Sequence, residues 1–514
     1  MNQLRIGAIL SYVSIFVTIL IALLYTPVMI RLLGQSEYGL YAMIGSISAY
    51  LSIMDLGLGN AIVRYTARNR AIGDKKAESK LNAMFLFLYT IIGFLTVLVG
   101  ASIYYNIDNI FGSGLTGPEI RKAKIMVIIL IINFSLSFPL SIFGSIMQAY
   151  ERFVAVKIVG IVRSLLVPLI TLPFLFAGHG SITMVLISTI VNISCLLYNV
   201  YYCFKHLEIN FYFGKIDLQL LKEIIGYSFF IFLAIIVDQV NWNTGQIILG
   251  AVTGTTAVAV FAIAIQFVRM YLQFSTAISG LFLPRVSMMV ANNASNKELT
   301  NIMVRYGRIQ YIIMSYILCG FVLFGYPFIS IWAGQSYVSA YYMALIIMIP
   351  ITVPLIQNIG ISILQGMNLQ GFRSIVLIIL AIANVIISIP LAKMYGGIGV
   401  AIGTGASYLI GNGVIMNIYY YRRIKLDIPL FWKNILSMSV PVLLALTMGY
   451  GINLLLPQNS LVFLILKTGL FSIGYIFLMW FLAFNNYEKS LLRPIFKVIK
   501  NLPVKFKPRT KSNN

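Results

Sequence analysis

Apolar stretches of roughly twenty residues follow one another along all 514 residues, separated by short polar breaks. About twenty apolar residues cross about 30 Å of hydrocarbon at 1.5 Å per residue, so each stretch reads as a membrane-spanning helix. The pattern predicts about fourteen, at 7–30, 40–63, 82–105, 124–147, 155–177, 181–204, 224–247, 255–281, 309–331, 341–364, 374–393, 398–420, 435–456 and 461–484. The fold class is therefore all-α and integral to the membrane. Proline recurs inside the stretches, at Pro27, Pro139, Pro168, Pro173, Pro350 and Pro354. Each removes a helix hydrogen bond and allows a kink.

Composition agrees with this reading. The chain is 60% hydrophobic and 10% charged, with a mean hydropathy of +0.91, where a soluble domain carries about a quarter charged residues. Its net charge of +23 would suggest nucleic acid in a soluble protein, but the basic residues are divided among loops rather than gathered on one face. No nucleic-acid partner is expected. Basic residues instead mark the cytoplasmic side. Of 37 lysines and arginines, 29 fall on one side, among them Arg64, Arg68, Lys76, Lys80, Arg305, Arg308 and eight in the C-terminal tail. Both termini are then cytoplasmic. The first stretch has no small-residue cleavage site and reads as a retained anchor.

The external connections are short, the longest running from about Tyr105 to Ala123, so no extramembrane catalytic domain fits. There is no phosphate-loop motif for ATP hydrolysis. Only His179 and His206 occur, without companions at metal or triad spacing, and Cys195, Cys203 and Cys319 have no ligand spacing. Neither catalytic residues nor a metal site is expected, and the chain is not expected to be an enzyme. Movement of a solute across the bilayer, or scaffolding of proteins that move one, remains.

Two halves of the chain resemble each other. Ile146-Met-Gln-Ala-Tyr-Glu-Arg-Phe153 followed by Gly178-His-Gly matches Ile363-Leu-Gln-Gly-Met-Asn-Leu-Gln-Gly-Phe372 followed by Gly396-Gly-Ile-Gly399. Arg31-Leu-Leu-Gly34 likewise matches Ile247-Ile-Leu-Gly250. The expected organisation is an N-terminal lobe at 1–212, a C-terminal lobe at 213–425, two further spans at 426–485 and a basic cytoplasmic tail at 486–514. Two six-helix lobes would then face a central cavity.

Ionisable groups inside spans are costly and usually face a cavity or a partner. Asp55, Asp238, Arg163 and Arg269 are of this kind. The carboxylates suit either uptake of a proton or sodium ion or structural pairing with an arginine. The two arginines suit a phosphate-bearing passenger. In span 7, Asn241, Trp242 and Asn243 set amides beside an indole, a combination that suits sugar hydroxyls and a sugar face, while an ordinary interfacial helix end is the alternative.

Several motifs together support a family resemblance. Arg31-Leu-Leu-Gly34 with Tyr38-Gly-Leu-Tyr41, then Asp55-Leu-Gly-Leu-Gly-Asn60 and Arg64, resembles the polysaccharide-transport, O-antigen-type branch of the multidrug/oligosaccharidyl-lipid/polysaccharide exporter superfamily. Ile248-Leu-Gly250, Phe282-Leu-Pro284 and Ile331-Trp-Ala-Gly334 resemble its second-half landmarks. The resemblance implies a flippase that carries an undecaprenyl-diphosphate-linked oligosaccharide across the bacterial cytoplasmic membrane by alternating access, for O-antigen, capsule or exopolysaccharide export. It also implies a diphosphate held by cavity cations, for which Arg64, Arg163 and Arg269 are the candidates in this chain, no cofactor beyond a coupling Na+ or H+, and a glycan polymerase and glycosyltransferases as partners. Where the family leads one to expect an acid just before Ile247-Ile-Leu-Gly250, this chain has Gln246. A drug or metabolite antiporter of the same superfamily and a non-transporting glycan-assembly scaffold are the competing readings.

Overall fold

A computed structural model describes residues 2–214, 217–279, 283–457 and 460–490. Among them the chain is helical throughout, with no strand. The first repeat supplies α1 (Asn2–Leu33), α2 (Gln35–Leu51), α3 (Leu58–Ile72), α4 (Lys75–Phe111), α5 (Gly117–Ala149), α6 (Phe153–Phe176) and α7 (Ser181–His206). The second supplies α8 (Leu218–Val252), α9 (Thr255–Ser279), α10 (Leu283–Ala291), α11 (Asn296–Trp332), α12 (Ser339–Ile356), α13 (Asn358–Gly366), α14 (Gln370–Tyr408) and α15 (Met416–Arg422). Then come α16 (Ile428–Ser437), α17 (Ser439–Leu455) and α18 (Leu461–Leu478). The basic tail expected at 486–514 lies outside the described residues beyond Ser490.

Thirteen helical stretches among the described residues are long and apolar enough to cross a membrane. One of them, Gln370–Arg422, has 53 residues, about 80 Å of helix against about 30 Å of hydrocarbon. It folds back on itself at Gly396, whose φ of 57° and ψ of −134° interrupt the helix. Gly399 then packs on the Leu391 backbone, Gly403 on Asn384 and Ser388, and Gly411 on Leu380. Such pairing is that of an antiparallel hairpin, and it restores the expected fourteen crossings.

The second span is not the continuous helix that hydropathy predicts. After α2 the chain makes a 3-10 turn over Ser52–Asp55 and passes through Leu56 and Gly57, both left-handed, before α3 begins. Leu-Gly-Leu-Gly at 56–59 is a poor helix former, and Gly57 tolerates φ 75° at no steric cost. Ile231 and the Ser228 carbonyl of α8 fill the space that a side chain at Gly57 would need. Asp55 therefore sits at a helix break.

The left-handed residues also recur along the chain. Positive φ occurs at Gly34 and Gly254, Gly73 and Asn293, Glu151 and Asn368, Gly178 and Gly396, and Glu208 and Lys425, each pair 217 to 220 residues apart. The closing bonds recur too. Glu151 N–H donates to the Gln148 carbonyl and Arg152 N–H to that of Met147, while Asn368 and Leu369 donate in the same way to Gln365 and Leu364. Gly73 and Asp74 match Asn293 and Ala294 in this respect. Each is a helix terminated by a Schellman turn. In backbone terms Gly34 corresponds to Gly254, four residues beyond the Gly250 that sequence matching pairs with it.

The chain divides into two compact units. The first comprises Met1–Met270, Ile329–Ile351 and Gly371–Gly413, and its core includes Tyr65, Phe85, Tyr89, Ile142 and Phe143. The second comprises Tyr271–Phe328, Thr352–Gln370 and Val414–Asn514. It has one cluster around Tyr306, Ile359, Tyr420 and Phe431 and another around Phe324, Phe471 and Tyr475. Their boundaries fall within helices rather than at 212/213, and the division into lobes stays an expectation.

Candidate functional site

In the first unit, α8, α9 and α14 bring together residues that are far apart in sequence. Asp238, Trp242 and Asn243 follow at i, i+4 and i+5 on α8, and Arg269 faces them from α9. Its Nη2 donates to Asn243 Oδ1 at 3.1 Å and lies 3.5 Å from the Trp242 carbonyl oxygen. Asn243 is itself fixed, its Nδ2 donating to Gln239 Oε1 at 2.5 Å. Asp238 interacts electrostatically with Arg269 and takes the Trp242 indole N–H, with no direct ion pair to the arginine. Tyr408 from α14 completes the group, its ring 5.8 Å from that of Trp242, and Arg373 acts on it electrostatically. Asp238 and Arg269 are exposed although both lie in candidate membrane spans.

The arrangement can bind an anion and a flat polar ring at once. One amide and one carbonyl orient the guanidinium without neutralising it, so its remaining N–H groups stay available for phosphate oxygens. Trp242 and Tyr408 supply amphipathic aromatic surface beside it. Asn241 is half-buried on the same helix.

The other expected site residues do not join this group. Arg64 is exposed and lies over the Tyr227 ring at 4.5 Å. Arg163 is exposed and interacts electrostatically with Cys195, with no hydrogen bond or ion pair among the described residues. Asp55 accepts the Tyr89 hydroxyl at 2.6 Å, rather than pairing with an arginine. Tyr89 and Tyr408 gave no signal in the sequence, because tyrosines inside apolar stretches are common there and carry no charge. Among the described residues no three His, Cys, Asp or Glu side chains group as a metal would require.

Toward the Gly34 and Gly254 turns the same unit is tightly closed. A Cβ on Gly39 would fall 1.8 Å from the Thr255 carbonyl oxygen, so α2 and the start of α9 touch backbone to backbone. Glu119 ties them further. Its Oε2 caps its own helix through Thr116, while Oε1 accepts from Ser36 at 2.5 Å and Thr255 at 2.7 Å. Glu37 accepts from Lys122 at 2.5 Å and from the Ser181 hydroxyl at 2.6 Å, joining α2 to α5 and α7. Ser46 donates to Gln246 at 2.5 Å, and Tyr50 pairs with Thr244. Gln246, the residue found where an acid was expected, thus acts here as a buried tie. Trp332 Nε1 donates to the Leu23 carbonyl at 2.7 Å, and Arg31 Nη2 to that of Ile331 at 3.2 Å.

Residues 4–290 match the model of a family described as polysaccharide biosynthesis protein. The chain belongs to that family. No curated protein matches it by sequence. Among solved structures, the family member resembles one described as the lipid II flippase MurJ in an inward closed conformation, with a TM-score of 0.73 and 16% identity over 96% of this chain and 100% of that one. It also resembles an inward-facing multidrug resistance MATE family transporter of the MOP superfamily, with a TM-score of 0.62 and 16% identity over 82% and 99%. A MOP superfamily transporter from Pyrococcus furiosus gives 0.56 and 13% identity over 81% and 96%. The polysaccharide family is the one the sequence motifs implied, and the all-α membrane fold is the one these solved transporters share.

Proposed function

We propose that this protein is a flippase for undecaprenyl-diphosphate-linked oligosaccharide repeat units in a bacterial cytoplasmic membrane, working by alternating access in polysaccharide export. The observation that carries the reading is Arg269, held by Asn243 and the Trp242 carbonyl inside the spanning region, exposed and beside two aromatic rings. A diphosphate bearing several sugars cannot cross hydrocarbon unaided. Arg269 supplies charge-assisted hydrogen bonds to the diphosphate, Trp242, Asn241 and Asn243 meet the first sugars, and the polyprenyl tail stays in lipid. Arg64 and Arg163 serve as secondary cations along the route.

The family assignment and the MurJ-like fold support transport rather than catalysis. In this reading both termini are cytoplasmic, and the seal around Glu119 and Gly39 is the closed external gate. Asp238 and Asp55 are the carboxylates available for a coupling Na+ or H+. Deleting the chain should cause lipid-linked oligosaccharide to accumulate in the inner leaflet, and Arg269→Ala should reproduce this at a normal protein level. Unaltered export in that variant removes Arg269 from the site. A drug antiporter is the second reading, because MATE transporters share the fold over 82% of this chain. Drug efflux without oligosaccharide accumulation on deletion would favour it.

A further inference from the structure

The first repeat carries a cavity of about 500 Å³ that neither the transport site nor the seal uses. It is lined by Asn69 at the end of α3, by Lys76, Lys80, Met84 and Phe87 on α4, and by Phe213 of the connection into α8. Lys76, Lys80, Met84 and Phe87 follow at i, i+4, i+8 and i+11, one face of one helix. That face changes character along its length. Two ammonium groups stand at its polar end, and Phe87, 48% exposed, continues it into the apolar stretch that crosses the membrane.

Neither lysine has an acidic partner among the described residues, and Lys80 lies 6.0 Å over the Tyr212 ring. The two acids at the cavity are engaged elsewhere. Asp74 accepts from Ala77 N–H at 2.8 Å, and Asp217 from Gln219 and Leu220 N–H at 3.0 Å, each capping the positive end of a helix. Neither carboxylate forms an ion pair with Lys76 or Lys80 among the described residues, so the ammonium groups stay free to bind a phosphate.

The second repeat covers the corresponding stretch of its own helix, α11, from within the chain. Aligning the helix caps Asp74 and Ser295 sets Met84 opposite Arg305 and Phe87 opposite Arg308. There Arg308 binds the Glu488 carboxylate at 2.7 and 3.0 Å, and Arg305 stacks 3.2 Å from the Tyr487 ring centroid. A carboxylate and an aromatic ring from the chain's own C-terminal segment thus cover the start of α11. In the first repeat the connection into α8 crosses α4, with Tyr212 N–H on the Ser79 carbonyl and its ring over Lys80, but it leaves a cavity open beside both lysines. Its cations are lysines set above an apolar wall, so the complementary occupant is an anionic amphiphile.

We propose that this cavity binds an anionic phospholipid, its phosphate between Lys76 and Lys80 and its acyl chains along Met84 and Phe87. Basic pockets beside membrane helices on the cytoplasmic side take such headgroups. The placement in the inner leaflet rests on the reading that the basic loops face the cytoplasm. The volume suits a phosphoglycerol headgroup and not a diphosphate with several sugars, which separates this site from the transport route.

The test uses the full chain in phosphatidylcholine nanodiscs, titrated with phosphatidylglycerol and followed by thermal unfolding and by native mass spectrometry of retained lipid. Phosphatidylglycerol should raise the Tm of the unmodified protein by several degrees. K76Q/K80Q should lose that shift and bind the lipid about ten- to thirty-fold more weakly, at unchanged Tm in phosphatidylcholine alone. K433Q, a cytoplasmic lysine elsewhere, should keep it. If the double variant does not purify, K76Q and K80Q should each show part of the loss. An equal shift in K76Q/K80Q, or no loss in either single variant, overturns the proposal. So does the same shift from glycerol 3-phosphate alone, which marks a soluble-anion site, or a shift from undecaprenyl diphosphate only, which assigns the cavity to the passenger. No transport is measured, so the result stands apart from the flippase reading.

Discussion

Helix α2 meets α8 and α9 in two ways. Near Gly39, Ser46 and Tyr50 the contact is dense: a backbone approach that leaves no room for a methyl group, a buried hydroxyl on Gln246, and a carboxylate shared by three hydroxyl groups. Eight residues along α8 from Gln246, about 12 Å, the polar groups are Asp238 and Arg269, exposed and not directly paired. On α2 the corresponding stretch ends in a broken helix at Asp55. Density of short neutral and charge-neutral bonds makes a closure. Sparse, charged and accessible groups make a place where a passenger is held.

The contrast can be broken most severely at Gly39. Gly39→Val should abolish oligosaccharide export and destabilise the protein by about 3 kcal/mol or more, since overpacking against backbone has no soft neighbour to move; Tm and lipid-linked oligosaccharide levels report both. Arg269→Ala should lower export more than tenfold with little change in Tm, and Arg269→Lys should recover part of it, because an ammonium keeps the charge but loses the planar fork. A Tm loss matching the export loss would instead make Arg269 structural.

Smaller effects sharpen the same contrast. Glu119→Gln keeps the side chain's size but removes the charge that Ser36 and Thr255 share, a change of about 1–2 kcal/mol. In a background without Cys195, Cys203 and Cys319, a cysteine at Ala42 should then react faster with an impermeant thiol reagent from outside. An unchanged rate means the seal does not depend on Glu119. Tyr89→Phe should cost about 1 kcal/mol and a few degrees of Tm, with export reduced less than by Arg269→Ala. A larger export loss than that would move Asp55 into the transport route.

The spans were legible because hydropathy alone makes them, and even the Gly396 hairpin shows as two stretches parted by a pair of glycines. The helix break at Asp55 was not, since Ser52 to Gly59 reads as apolar and its turn depends on the fit of Gly57 against α8. Arg269, Asp238 and the residues at 241–243 stood out singly as polar groups in apolar surroundings. Their meeting did not, because sequence separation hides which helix faces which. Glu119 was invisible for a similar reason: as the third residue of a helix after Thr116 it reads as an ordinary capping box, and its second oxygen reveals its partners only in three dimensions. Glu151 and Lys425 show the limit from the other side, for neither is a residue type that announces a left-handed turn.

Those paired turns have a consequence for how the protein can be made. Each repeat contains its own set of helix stops, from Gly34 to Glu208 and from Gly254 to Lys425, and six apolar spans once the Gly396 hairpin is counted as two. Severing the gene between the codons for 212 and 213 should therefore give two polypeptides that insert independently, in the same sense, and assemble when produced together.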